Sequence, residues 1–122
     1  MENHEQILKM IEEVDPNNRE LMEEIDILVW EYIGFDKNSE RKIDDCPDFT
    51  TSRDALKKIR PEGWGFDHDV IFNKWEVVGY VTEGYSKNYP SVESYCYLPT
   101  EELAELHCII QAIAHERAKA IP

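Results

Sequence analysis

The sequence has few basic residues and no long apolar run. Basic residues number 13 against 26 acidic residues, which gives a formal net charge of −13. A chain with this excess of carboxylates repels the phosphate backbone of nucleic acids. The longest apolar run is residues 27–30, whereas a helix needs about 20 apolar residues to cross a bilayer. We therefore expect a protein that binds neither nucleic acid nor a membrane.

Signatures of metal binding, nucleotide binding and catalysis are also missing. The three cysteines include no Cys-x-x-Cys pair, and the chain has no His-Glu-x-x-His sequence. Gly63 and Gly65 lack the third glycine of a phosphate-binding loop. The first residues, with Glu2 and Glu5, lack the layout of a secretory signal. These absences favour a cytoplasmic protein with reduced thiols, no metal and no cofactor, and a binding function rather than an enzymatic one.

Helical periodicity marks two segments in the N-terminal part of the chain. Apolar residues recur at helical spacing from Ile7 to Val14, and Pro16 ends that pattern. A second helix is predicted over 19–33, with Gly34 at its end. Its acidic residues are predicted to lie together on the side that faces water: Glu20, Glu23, Glu24, Asp26 and Glu31.

A change of period to two predicts strands in the C-terminal part. After a short helix over 53–60, apolar residues alternate with polar ones, which predicts strands over 64–72, 75–81 and 92–98. The first two strands are predicted to join through a tight turn at Asn73-Lys74. A last helix begins after Thr100, and one stripe of it is predicted to be buried: Leu103, Leu106, Ile110 and Ile113. The order of elements predicts an α+β fold in which helices cover a three-stranded antiparallel meander.

Two short segments in fixed order resemble a known family. The chain reads Pro-Asp-Phe-Thr-Thr-Ser at 47–52 and Pro-Glu-Gly-Trp at 61–64, and it closes with an alanine-containing helix at 103–112. With the helix at 19–34, this order resembles the phage ABA sandwich domain, a family of small bacteriophage and prophage proteins.

The resemblance implies a helix–sheet–helix sandwich over 19–122, with residues 1–18 as an added helical extension. It also implies a phage or prophage origin, hence the cytoplasm of an infected or lysogenic bacterium. It implies no activity and no functional residue, because the family has no established biochemical function. His107 departs from the family, in which an apolar residue is common at this position.

Histidine clusters in the sequence do not predict a metal site. Alternation along a strand would place Asp67 and Asp69 on one face and His68 on the other. On the last helix, His107 and His115 are eight residues apart, too far to bind one ion together. A Cys96–His68 nucleophile pair is conceivable on neighbouring strands, but nothing in the sequence selects it over other pairings.

Two surfaces are candidates for binding a partner. One is the acidic face of the second helix, with Glu20, Glu23 and Glu24, which could equally serve only to keep the protein solvated. The other is aromatic, because tyrosine and tryptophan are enriched in interfaces; its candidates are Trp75, Tyr80, Tyr85, Tyr89, Tyr95 and Tyr97. The alternative is that the last helix covers this aromatic face.

The leading hypothesis is a non-enzymatic accessory protein that binds a host protein through its acidic or tyrosine-rich surface. The alternative is a small-molecule binder, of nucleotide-like ligands, or a small enzyme. It would use an aromatic pocket between sheet and helix, lined by Trp64, Trp75 and Tyr97. The sequence leaves the oligomeric state open.

Overall fold

A computed structural model describes residues 4–34, 46–81, 91–93 and 98–119. The helices in these ranges are α1 His4–Glu13, α2 Arg19–Tyr32, α3 Arg53–Ile59 and α4 Glu101–Lys119. The strands are β1 Trp64–Ile71, β2 Lys74–Val81 and the short β3 Ser91–Glu93. Helices together with an antiparallel hairpin confirm the predicted α+β class.

Side chains at the helix ends follow the capping rules. The Asn18 side chain accepts a hydrogen bond from Leu21 N at the start of α2, and Ser52 accepts one from Ala55 N at the start of α3. Thr100 Oγ1 accepts from Leu103 N at 3.2 Å. Each oxygen satisfies an amide that has no partner within its helix. Gly34, with φ +118°, follows the end of α2, as its freedom to adopt positive φ predicts.

The turn between β1 and β2 lies one residue earlier than predicted. Ile71 pairs with Lys74, so the two-residue loop is Phe72-Asn73 rather than Asn73-Lys74. Both loop residues have positive φ, 51° and 65°, as a tight hairpin turn with a right-handed strand twist requires. Asn tolerates this conformation but Phe does not favour it, so local preference does not predict Phe72 in the turn.

The edge of β2 opposite β1 also forms backbone pairs. Ser91–Glu93 pairs antiparallel with β2 opposite Tyr80, Gly79 and Val78. Leu98 forms a separate bridge with Trp75, in which the two N–H···O bonds measure 2.7 and 3.0 Å. The predicted third strand at 92–98 otherwise falls on residues outside the described ranges.

Helix α4 forms the middle layer of the described structure. Glu105 on α4 contacts His68 of β1, whereas His107, two residues further along, faces away from the sheet and contacts Glu12 of α1. Residues 103–110 are all buried, because the sheet covers one side of α4 and other helices cover the rest. The buried surface of α4 is therefore wider than the single stripe that the sequence predicted.

The described helices lie on one face of the hairpin. Only α4 makes extensive contact with β1 and β2, while α1 packs on α2 and α4, and α3 packs on α4. The order sheet, α4, α1 with α2 therefore differs from the helix–sheet–helix order that was expected, as far as the described residues extend.

Residues of the expected N-terminal extension belong to the main core. Ile7 and Ile11 of α1 are 1% and 0% exposed and pack in one cluster with Ile25, Val29 and residues of α4. Burial of this apolar face ties α1 to the domain.

Candidate functional site

The hairpin ends in an exposed apolar tip formed by Val70, Ile71 and Phe72, here called the hairpin tip. Phe72 is 93% exposed, and Val70 and Ile71 are 49% and 40% exposed. A single exposed apolar residue such as Leu21 needs no separate explanation, but three consecutive ones at a turn form a patch. The hairpin tip is therefore the leading candidate for an interaction site.

The backbone at the hairpin tip is strained. Phe72 has φ 51°, in the left-handed region that costs a residue with a bulky side chain on the order of 1 kcal/mol or more. Its ring buries almost nothing within the described protein, so packing does not offset this cost. A strained, exposed aromatic residue is a feature of a contact surface rather than of the core.

Carboxylates lie beside the hairpin tip, on the face of the sheet that points away from α4, here called the outer face. Strand alternation places Asp67, Asp69, Glu76 and Tyr80 on it, and it also places Lys74 there, directly after the turn. Asp67 and Asp69 are exposed. The Tyr80 ring lies over Gly65, and its hydroxyl donates to Asp67 Oδ1 at 3.5 Å. An apolar tip thus adjoins a negatively charged face.

The acidic residues predicted on the second helix lie on a different surface. Glu20, Glu23 and Glu24 are all exposed on α2, and none forms an ion pair with a residue of the described ranges. Helix α2 packs on α1, which is separated from the sheet by α4. The structure therefore keeps the acidic residues of α2 apart from the outer face.

The predicted aromatic candidates are not brought together in the described residues. Trp75 is half-buried against the core on the side that faces α4, whereas Tyr80 lies on the outer face. Tyr85, Tyr89, Tyr95 and Tyr97 lie outside the described residues. The space between sheet and α4, where an aromatic pocket was the alternative, is tightly packed at Gly79. A Cβ there would come within 2.8 Å of Phe66 and 3.0 Å of Cys108 Sγ.

Glu105 forms a buried ionic cluster between α4, β1 and the end of α3. Its side chain is 1% exposed; Oε1 lies 2.6 Å from Arg60 Nη2 and 2.5 Å from His68 Nε2. Arg60 also donates from Nε to Oε2 at 3.3 Å, which makes the pair bidentate. Burial raises the pKa of Glu105, but hydrogen bonds from His68 and Arg60 outweigh that effect and lower it overall. Both carboxylate oxygens of Glu105 accept hydrogen bonds from within the cluster, so we interpret this cluster as structural.

The remaining histidines also have partners or lie in packed surroundings. His107, which is 3% exposed, contacts Glu12 Oε2 through Nε2 and Gln111 Nε2 through Nδ1, both at 3.0 Å. His115 packs edge-on against Trp64, whose indole N–H donates to Glu116. Within the described ranges, no group of three His, Cys, Asp or Glu side chains could hold a metal ion.

A second candidate site is a cleft of about 200 Å³ between α2 and residues 48–51. Its polar lining includes Glu23, Asp26, Asp48 and Thr50. Asp26 was predicted to face water, but it is only 6% exposed, and Oδ1 accepts a hydrogen bond from Thr50 N at 2.8 Å. The Thr50 segment folds back on α2 and covers that carboxyl group, which helical periodicity alone could not reveal.

The Asp26 carboxyl group is held in an unfavourable environment. Burial raises its pKa to about 6, although hydrogen bonding from Thr50 opposes the shift and the neighbouring charges of Asp48 and Glu23 add to it. Burial, together with the charges of Asp26 and Asp48, raises the pKa of the Cys46 thiol to about 11. A shifted carboxyl group that lines a cleft is a candidate functional group.

Sequence reasoning missed both the hairpin tip and the Asp26 cleft, but weak signals of each exist. Val70, Ile71 and Phe72 interrupt the alternation of β1 with three consecutive apolar residues directly before an Asn. Asp26 is flanked on both sides by isoleucine within an apolar stretch of α2. Both the apolar run at 70–72 and the carboxylate within an apolar stretch depart from the local pattern, and such departures are expected at functional sites.

Comparison of the chain with protein-family models, curated proteins and solved structures found no match. A search of the described helices found none with the length and apolar character needed to span a bilayer.

Proposed function

We propose that this protein is a non-enzymatic binding protein whose hairpin tip inserts into an apolar pocket of a protein partner. The observation that carries the proposal is Phe72, 93% exposed in a strained backbone conformation at the end of a continuously paired hairpin. Interfaces depend on a few aromatic anchors that fill pockets, and a two-stranded hairpin presents such an anchor with little entropy cost.

Charge indicates the chemistry of that partner. Beside the hairpin tip, the outer face carries the three carboxylates of Asp67, Asp69 and Glu76 against the one cation Lys74, and the whole chain carries a net charge of −13. A complementary surface would carry Lys or Arg side chains around an apolar pocket. Electrostatic attraction of this kind speeds association and weakens as salt rises.

The resemblance to the phage ABA sandwich domain supports a phage or prophage accessory protein acting in the bacterial cytoplasm, with a host protein as partner. We include in that proposal a sheet completed as a three-stranded meander through β3. The acidic residues of α2 and the tyrosines at 85, 89, 95 and 97 remain predicted contacts. A nucleotide-like ligand between sheet and helix is not favoured, because Phe66 and Cys108 fill the space beside Gly79.

The test is a comparative pull-down from bacterial lysate with wild type, Phe72→Gly and Leu21→Gln, at two salt concentrations. Leu21, 38% exposed on α2, serves as the matched control because it is an exposed apolar residue far from the hairpin. We expect a protein that wild type and the Leu21 variant retain, that Phe72→Gly retains at least tenfold less, and that high salt releases. Equal retention by the Phe72 variant would contradict the proposal.

A further inference from the structure

Strand β1 forms one edge of the sheet, because β2 lies between it and β3. Trp75 of β2 exchanges both backbone hydrogen bonds with Leu98 and therefore directs its N–H and C=O groups away from β1. Val70 stands opposite Trp75, and the same arrangement repeats at every second residue of β1. The backbone groups of Phe66, His68 and Val70 therefore point outward, and these three residues are here called the β1 edge.

The β1 edge is open as far as the described residues extend. Among them, the N–H groups of Phe66 and His68 have no hydrogen-bond acceptor, whereas the Val70 N–H donates to Asp69 Oδ1 at 3.0 Å. The strand pairs with β2 in continuous register over residues 64–71 and contains neither the proline nor the lysine that commonly protects an edge. A regular edge with unpaired backbone groups can pair with one more strand.

Charge selects the kind of strand that the β1 edge accepts. Asp67 and Asp69 of β1 are exposed on the outer face, and side chains of an added strand would lie about 5 Å from them, as cross-strand neighbours do. A second copy of the chain, paired antiparallel around His68, would set Asp67 directly against Asp69 of the other copy, and like charges in that position are destabilising. The carboxylates therefore favour a strand with basic side chains.

We propose that the β1 edge takes up an extended, basic segment of the partner protein as an additional strand of the sheet. Lys or Arg side chains of that segment lie beside Asp67 and Asp69, and its alternate, apolar side chains lie beside Val70, which is 49% exposed. The inference rests on the proposed function for its partner, because the same protein is to receive the hairpin tip. It adds a contact that is made by backbone hydrogen bonds.

The first experiment titrates wild type with the peptide acetyl-(Lys-Val)4-amide and follows the backbone amides by NMR. We expect saturable shifts at Phe66 and His68, and hydrogen exchange at these two amides that is at least tenfold slower in the bound protein. In the free protein they should exchange faster than the amides of Asp67 and Asp69, which bond to β2. No saturable shift at the β1 edge, or slow exchange there in the free protein, would overturn the proposal.

A pair of double variants distinguishes the β1 edge from general attraction to an acidic protein. Asp67→Asn with Asp69→Asn removes the two carboxylates beside the edge and should weaken peptide binding at least tenfold. Glu20→Gln with Glu23→Gln makes the same change of net charge on α2, away from the sheet, and should change the affinity less than twofold. Equal weakening by the two double variants would show that only net charge matters, and would overturn the proposal.

Methylated peptides test whether the contact is made by the backbone. With the lysines on the outer face, the valine N–H groups bond to β1 if the added strand is antiparallel, and the lysine N–H groups do so if it is parallel. One peptide is therefore N-methylated at every valine and another at every lysine. We expect one of them to bind wild type at least tenfold more weakly than the unmodified peptide. Undiminished binding of both would overturn the proposal.

Two further measurements separate this inference from the alternatives. Phe72→Gly should bind the peptide as wild type does, and loss of binding in that variant would place the peptide at the hairpin tip and overturn the proposal. Peptide binding by wild type without a partner in the pull-down would contradict the proposed function alone, and the reverse result would contradict this inference alone. A dimer in sedimentation, with the Phe66 and His68 amides protected, would assign the edge to a second copy instead.

Discussion

At the scale of single residues, two buried carboxyl groups respond to their surroundings in opposite ways. Glu105 lies against a guanidinium and an imidazole, and its pKa falls. Asp26 has backbone and hydroxyl partners but no cation, and burial raises its pKa to about 6. Charge at Glu105 therefore stabilises the fold, whereas charge at Asp26 opposes it. The difference predicts opposite dependences of stability on pH.

Asp26→Asn is expected to stabilise the protein at pH 8 by about 1–2 kcal/mol. A shift of two pKa units corresponds to at most ~3 kcal/mol, which is reduced because the carboxyl group borders an open cleft. The raised pKa means that the contribution of Asp26 is fully favourable below pH 3.8 and is lost as pH rises through about 6. The gain from the variant should therefore shrink towards pH 4. Denaturant unfolding of wild type and Asp26→Asn at both pH values measures this gain. A variant that is less stable than wild type at pH 8 would contradict the prediction.

Glu105→Gln is expected to destabilise the protein at pH 7 by about 2–3 kcal/mol, because it leaves Arg60 and His68 without their anion. Its lowered pKa means that the stabilisation is present above pH 4.5 and is lost as pH falls through the folded value. The matched control is Glu101→Gln on the same helix, whose ion pair with the half-exposed Arg53 should be worth about 0.5 kcal/mol. Equal effects of the two variants in chemical denaturation would show that Glu105 is not a structural anchor.

At the scale of elements, the β1–β2 hairpin combines regular pairing with an irregular turn. The register is continuous from Trp64–Val81 to Ile71–Lys74, so the strands impose a two-residue loop on Phe72-Asn73. The strand pairing accounts for the left-handed backbone at Phe72, and the exposed ring is not needed for it. Replacing Phe72 with glycine should therefore increase the stability of the protein but weaken its binding to a partner.

Phe72→Gly is expected to raise the free energy of unfolding by about 0.5–1 kcal/mol. Glycine adopts positive φ without steric cost, and removal of an exposed ring sacrifices no burial. Asn73→Ala, at the other positive-φ position, should lower stability by a similar amount because alanine tolerates this conformation less well than asparagine. Urea unfolding curves provide the measurement. A loss of stability in Phe72→Gly would mean that the ring packs within the protein.

The helices and strands followed from local patterns, but the turn and the cleft did not. Apolar spacing and capping side chains predicted α2, α3 and the start of α4 because these features act within a few residues. The Phe72 turn depends on which residues pair across the hairpin, and the burial of Asp26 depends on contact with Thr50, 24 positions along the chain. Such long-range contacts leave no periodic trace in the sequence.

At the scale of the whole molecule, the middle position of α4 organises both candidate surfaces. Its buried residues separate the sheet on one side from α1 and α2 on the other, so the hairpin tip and the Asp26 cleft lie in different layers. This arrangement also accommodates His107 in a buried position, because Glu12 of α1 and Gln111 satisfy its ring nitrogens. We expect close packing between α4 and the sheet to stabilise this layered arrangement.

Gly79→Ala tests that packing, with Gly65→Ala as the matched control. At Gly79 a Cβ would lie 2.8 Å from Phe66 and 3.0 Å from Cys108 between sheet and α4, so we expect a loss of about 1–3 kcal/mol. At Gly65 the nearest atoms would be those of the Tyr80 ring on the outer face, which can move aside. Thermal unfolding should show a clearly larger drop for the Gly79 variant. Equal drops would indicate that the two faces of the sheet are equally constrained.

Site-specific photocross-linking tests whether the hairpin tip inserts into a partner. The photoreactive analogue p-benzoylphenylalanine is placed at Phe72 in one sample and at Leu21 in another, and cross-linked proteins from bacterial lysate are identified by mass spectrometry. We expect one dominant protein to be cross-linked at Phe72 and absent at Leu21, with the cross-link lost at high salt. The same proteins at both positions, or none at Phe72, would contradict it.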